Sequence, residues 1–115
     1  RGIVSYSNQS KIEELKVKKS TLKTYGAVSN KTAYEMAKGL LNKTNIDIAL
    51  SVTGIAGPGG GSAEKPVGTV FVCVMSNKDY MVEEYRLNGN RIMIQNRTTT
   101  RALNLLRKFI LDNRY

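Results

Sequence analysis

The stretch from Ser51 to Val74, SVTGIAGPGGGSAEKPVGTVFVCV, holds most of the chain's ten glycines and both of its prolines. A hydroxyl, Thr53, ends the apolar run before the glycines, and a second strand-like run follows them. Glycine lets backbone N–H groups approach an anion with no Cβ in the way. Loops this long are uncommon in compact domains and are either functional or disordered. The spacing is not that of a phosphate loop, since no Gly-Lys-Ser/Thr follows. GPGGGS also breaks the dinucleotide pattern, and the chain runs on into a strand and not a helix. A solvated flexible loop and the wall of a pocket for a phosphorylated ligand both fit this composition. A second polar cluster, Tyr6, Ser7 and Asn8, ends the apolar opening GIVSYS.

The elements that must position these groups follow from periodicity. GIVSYS reads as a strand entered at once through Ile3 and Val4, as in a domain whose first part lies upstream. Ser10 and Glu13 have capping-box spacing at the start of a short helix, SKIEELKV, with Ile12 and Leu15 on its apolar side. A second short helix runs from Ser20 to a left-handed stop at Gly26. The clearest helix spans about 29–44. Ser29 is its N-cap, and Ala33, Met36, Ala37, Leu40 and Leu41 form its buried stripe. In IDIALSV, Ile46, Ile48, Leu50 and Val52 share one face of a strand, and Asp47, Ala49 and Ser51 share the other. GTVFVCVM is apolar on both faces, which makes it an interior strand covered by helices, with Cys73 in the core. SNKD then turns into an edge strand, YMVEEYRL. Asn90 caps a final helix whose stripe is Thr99, Ala102, Leu103, Leu106, Phe109 and Ile110. The order implies an α/β fold, a mixed sheet with helices on both faces. Tyr6 and Thr53 open onto one crevice if their strands are parallel neighbours, because ligands of such sheets sit beyond the carboxyl ends of the strands.

The 115 residues fit one domain. Eighteen Lys and Arg against nine Asp and Glu give a net charge of +9, which favours anionic partners or serves solubility alone. There is no histidine, and the single cysteine allows neither a disulfide framework nor a metal motif. No apolar run is long enough for a membrane-spanning helix. With no tryptophan and 7% aromatic residues, stacking platforms for single-stranded nucleic acid are poorly supplied.

TGIAGPGGGSAEKPVGTVFV resembles the signature of the CinA C-terminal domain, the nicotinamide-nucleotide amidase family. The likeness extends through GIVSYSNQSK and TYGAVSNKTAYEMAKGL upstream and NGNRIMIQNRTTTRALNLL downstream, so it covers residues 1–115 almost entirely. It implies a three-layer α/β/α sandwich and hydrolysis of the carboxamide of nicotinamide mononucleotide to nicotinic acid mononucleotide and ammonia. It also implies a serine nucleophile in an E-S-C-T-G-G motif, which this sequence does not contain. The domain is therefore expected to be incomplete at its N-terminus and the chain alone inactive.

The resemblance further implies that Tyr6 and Lys11 belong to the catalytic group around that serine. An amide needs a deprotonated nucleophile, and without histidine a Lys or Tyr must take the proton. On their residue types alone, Lys11 is a solvated lysine at a helix start and Tyr6 an aromatic packed on a rim. Thr53 would hydrogen-bond the reacting amide, or merely end its strand. Backbone N–H groups from Gly54 through Ala56 to Gly57 would hold developing negative charge. Arg91 would clamp the substrate phosphate with its planar fork. Gln95 stands where the family often has arginine, which leaves Arg97 or Arg101 to supply a second basic contact. Ala27, Val28 and Ser29 would shape the pocket floor. The expectation is a cytoplasmic homo-oligomer that acts on a small mononucleotide, with no cofactor, metal or membrane. A non-catalytic nucleotide- or DNA-binding module is the alternative.

Overall fold

The computed structural model describes residues 1–115. Three helices precede the sheet: α1 (Asn8–Leu15), α2 (Lys19–Tyr25) and α3 (Asn30–Lys43). Three strands follow, β1 (Ala49–Gly54), β2 (Thr69–Met75) and β3 (Tyr80–Arg86), and α4 (Arg91–Leu111) closes the chain. The sheet order is β1-β2-β3, and both pairings are antiparallel.

Strand β2 is buried along its whole length, as its two-sided apolar sequence predicts. Val70, Val72 and Val74 face one way, into a core with Leu87, Ile94, Ala102, Leu105 and Phe109 of the α4 side. Phe71, Cys73 and Met75 face the other way and meet Ala33, Ala37 and Leu41 of α3, with Ala49. This alternation makes the three layers, one helix layer on each face of the sheet. Each Val, Leu, Ile, Phe or Met among them contributes about 1.5–3 kcal/mol when fully buried. Cys73 belongs wholly to this core, and burial pushes its thiol up to about 12.

Six expectations are corrected. The opening GIVSYS forms no strand: residues 1–6 belong to no element, and the only hydrogen bond that reaches them comes from Lys11. A strand needs a neighbour for its N–H and C=O groups, and β1 presents its free edge across a gap instead. The sheet is consequently antiparallel throughout, not mixed, and β1 begins at Ala49, later than Ile46.

Helix α1 starts three residues early. Ser7 is the N-cap, accepting from the Ser10 amide, while Ser10 donates its hydroxyl to the Ser7 carbonyl and Glu13 pairs with Gln9. Gly26 does take positive φ, but with ψ of 170° it is extended and not left-handed helical. The stripe on α4 is rotated: Ile94, Ala102, Leu105 and Phe109 are buried, whereas Leu103 and Ile110 are exposed. Leu103, Leu106, Ile110 and Leu111 instead line a shallow apolar cleft on the outer face.

Two caps stand where periodicity puts them. Ser29 accepts from the Thr32 amide at α3, and Asn90 from the Met93 amide at α4. Gly39 of α3 is required by close approach, since a Cβ there would lie 1.7 Å from the Leu15 carbonyl oxygen. That contact seats the end of α1 on α3 and so places Lys11. Gly68, at φ +96°, ends the glycine loop where a Cβ would meet the Leu87 carbonyl oxygen at 1.8 Å.

Candidate functional site

The carboxyl end of β1 is the focus of the molecule. A cleft of about 480 Å3 lies along its free edge, with Ile3, Val4, Ser5 and Tyr6 on one side and Leu50 to Gly54 on the other. Lys11, Leu15, Met36 and Leu40 close its floor from α1 and α3. Tyr6, Lys11, Thr53 and Gly54 thus meet at one opening, although no pairing of neighbouring strands brings them there.

Lys11 is 7% exposed, and its Nζ donates to the Ser5 carbonyl at 2.8 Å. It forms no ion pair. With no carboxylate to offset it, burial lowers its pKa. The reading of Lys11 as a solvated lysine is overturned. Tyr6 is 93% exposed, so it stands free at the mouth and packs on no rim.

The Thr53 hydroxyl donates to the Ala27 carbonyl at 2.7 Å, across from β1 to the segment that precedes α3. Its proton is committed, and its lone pairs remain as acceptors for an N–H. This bond ties Ala27 to β1, and Ser29 donates its hydroxyl to the Gly26 carbonyl, but neither of them nor Val28 lines the cleft, so the expected pocket floor is formed by other residues. Ser51, one inward-facing position earlier, donates to the Ala33 carbonyl. Alternation along β1 sends both hydroxyls to the α3 side.

The glycine loop is folded and not floppy. The Ile55 amide donates to Thr69, the Gly68 amide to Ile55, and the Ser62 amide to Lys65. The donation from Ile55 shortens the expected run of free amides, because its N–H is spent on the sheet. The amides of Ala56 and Gly57 donate to nothing.

A second cleft, of about 280 Å3, opens on the α4 side of the same strand end. Gln95 and Ala56 line it together with Ile55, Thr98 and Thr99, and it shares Val52 and Gly54 with the first. Arg91 lies on neither lining. One turn before Gln95, its Nη1 donates to the Gly57 carbonyl at 2.8 Å. The amides of Arg91 and Ile92, at the start of α4, have no acceptor. The structure therefore brings Tyr6, Lys11, Thr53 and Gly54 to one cleft and Ala56 and Gln95 to the adjoining one. Arg91 and Gly57 are joined directly at the loop.

Sequence reasoning missed Thr98 and Lys65 and put Thr99 on the buried stripe of α4, whereas Thr99 is exposed and lines the second cleft. Thr98 and Thr99 follow Gln95 at the helical spacing that puts them on one face, a signal present in the text of the chain. Lys65 Nζ donates to the Tyr25 carbonyl across 40 positions, and no local pattern announces that. No group of three or more His, Cys, Asp or Glu side chains is placed to hold a metal ion.

The chain is thus an α/β/α layered domain with a cleft, lined mostly by apolar side chains, at the free edge of its sheet. The chain matches the CinA C-terminal domain family over residues 1–110, and it belongs to that family. It is 51% identical over 111 residues to a competence-damage inducible protein of Acetivibrio thermocellus, a match covering 96% of this chain and 27% of that protein. A protein of the same description from Caldicellulosiruptor bescii is 49% identical over 112 residues, with 97% and 27% covered. The fold is similar to that of the competence/damage inducible protein CihA from Agrobacterium tumefaciens, with a TM-score of 0.86 and 43% identity, covering 89% of this chain and 63% of that one. It is likewise similar to ComA of Klebsiella pneumoniae, at 0.87 and 29% identity, with 92% and 66% covered. The chain thus spans about a quarter of the length of the sequence relatives it matches.

Proposed function

We propose that the protein hydrolyses the carboxamide of nicotinamide mononucleotide, giving nicotinic acid mononucleotide and ammonia. The observation that carries this reading is the meeting of a buried lysine that has no ion-pair partner with Tyr6, Thr53 and Gly54 in one cleft, with Gly57, held by Arg91, three residues further along the chain. Amide hydrolysis by a serine needs three things: a base for the hydroxyl proton, donors for the tetrahedral oxyanion, and a proton for departing ammonia.

Lys11, with its lowered pKa, reaches the neutral amine form at lower pH than a solvated lysine and can take the hydroxyl proton. Returned to the leaving nitrogen, that proton lets ammonia depart and leaves an acyl-serine, which water then cleaves. Thr53 accepts an N–H of the carboxamide, and the free amides of Ala56 and Gly57 face developing negative charge. Arg91 and the open amides at the start of α4 take the phosphate. The serine belongs to the E-S-C-T-G-G motif of such enzymes, so the activity is proposed for the protein that carries it. No cofactor enters this scheme.

Ammonia release from nicotinamide mononucleotide tests the reading. Turnover is expected from the intact protein with that motif and none from these 115 residues alone. Robust turnover by the 115-residue chain, or none by the intact protein, would contradict it.

A further inference from the structure

The glycine loop is tied down by cations that reach backbone carbonyls from outside it or across it. Arg91 Nη1 holds Gly57 at 2.8 Å, Lys65 Nζ holds Tyr25 at 2.6 Å, and Arg86 Nη2 reaches Glu64 at 3.3 Å. These ties span 34, 40 and 22 positions, and each joins the loop to a different element. Arg91 is exposed, has no carboxylate partner and uses a single N–H of its five in this contact. The other edge of its planar fork is free to receive an anion while Nη1 keeps Gly57.

We propose that Arg91 is a positioning residue as well as an anion contact: an anion bound to its free edge fixes the guanidinium and thereby fixes the glycine loop. That this anion is the substrate's phosphate rests on the function proposed above, whereas the coupling itself does not. Immobilising a long side chain costs rotamer entropy, and the ligand and the loop share that cost when one guanidinium serves both. Linkage makes the coupling reciprocal, so loosening the loop anywhere weakens anion binding at Arg91. The amides of Ala56 and Gly57 lie in the tethered segment, and the coupling therefore sets where the oxyanion donors stand when the ligand arrives.

Amide hydrogen exchange of the intact protein, with inorganic phosphate as the probe, tests this. The Ser62 and Lys65 amides report on the loop, since they pair within it. The Ile55 amide, held by Thr69 of the sheet, is the control for global folding. Phosphate is expected to slow exchange at Ser62 and Lys65 in the wild type. Arg91→Ala is expected to speed loop exchange without phosphate and to abolish the response to it, with Ile55 unchanged. Lys65→Ala leaves the anion contact intact, yet phosphate affinity should fall about fivefold or more, the low end of ordinary couplings. A wild-type loop indifferent to saturating phosphate, an Arg91→Ala loop as protected as wild type, or unaltered phosphate affinity in Lys65→Ala would each overturn the proposal. None of these readouts needs turnover, so a protein that releases no ammonia still decides the matter.

Discussion

Lys11, a residue 7% exposed with no carboxylate beside it, is costly to bury, and the fold keeps it in the cleft nonetheless. The stability sign follows from its depressed pKa. Below the folded pKa the buried ammonium destabilises the native state by a constant amount. That cost fades as pH rises from the folded pKa towards the ordinary lysine value of 10.5, because over that window the unfolded chain binds the additional proton. Lys11→Met should therefore leave the thermal midpoint equal or higher in a melting scan near neutral pH. Ammonia release by the intact protein should fall about a hundredfold or more, the usual worth of a positioned base. A substantial loss of stability with activity retained would assign Lys11 a purely structural part. For Thr53, replacement by valine keeps the shape and leaves the Ala27 carbonyl without its donor. Denaturant unfolding should show a loss of about 1–3 kcal/mol, with Thr53→Ser restoring much of it.

Among the elements, the rotated stripe of α4 is the most instructive. Leu103, Leu106 and Ile110 have helical spacing, and so do Ile94, Ala102, Leu105 and Phe109; the text alone does not say which set meets the sheet. The choice is made by Val70, Val72 and Val74, whose side of β2 accepts the second set. Phe109→Ala should accordingly cost about 3–5 kcal/mol in denaturant unfolding, whereas Leu103→Ala, at an exposed position, should stay within about 0.5 kcal/mol. Helix α3, the two-sided β2 strand, the SNKD hairpin and both Ser29 and Asn90 caps were legible because their causes are local. GIVSYS was misread because strand propensity does not supply a partner, and residues 1–6 have none. The same distinction divides the site. Thr53 and the glycines announce themselves in the text, but the commitment of the Thr53 proton to Ala27 and the grip of Arg91 on Gly57 arise between distant segments.

For the molecule as a whole, charge is the dominant long-range property. Only Lys43, Arg86 and Arg114 of the 18 cationic side chains sit in ion pairs, so most of the +9 is open to solvent and counterions. Such a surface attracts any polyanion, and the two functional readings separate by salt. A duplex held by the surface alone should lose affinity by about a thousandfold or more between 50 and 200 mM salt if six or more phosphates are contacted. A mononucleotide held at Arg91 by one phosphate should lose only a small fraction of that. Titrations at both salt concentrations distinguish them, and duplex binding that falls steeply with salt while the mononucleotide fails to bind would favour the nucleic-acid module. The most direct measurement is a map of backbone amide resonances in the intact protein titrated with nicotinamide mononucleotide. Shifts are expected at Tyr6, Thr53, Gly54, Gly57 and Arg91, around the end of β1 and the tethered loop. Shifts confined to the opposite end of the sheet, at Ser76 to Tyr80 beside Tyr34, would contradict a cleft that accepts a phosphorylated pyridine.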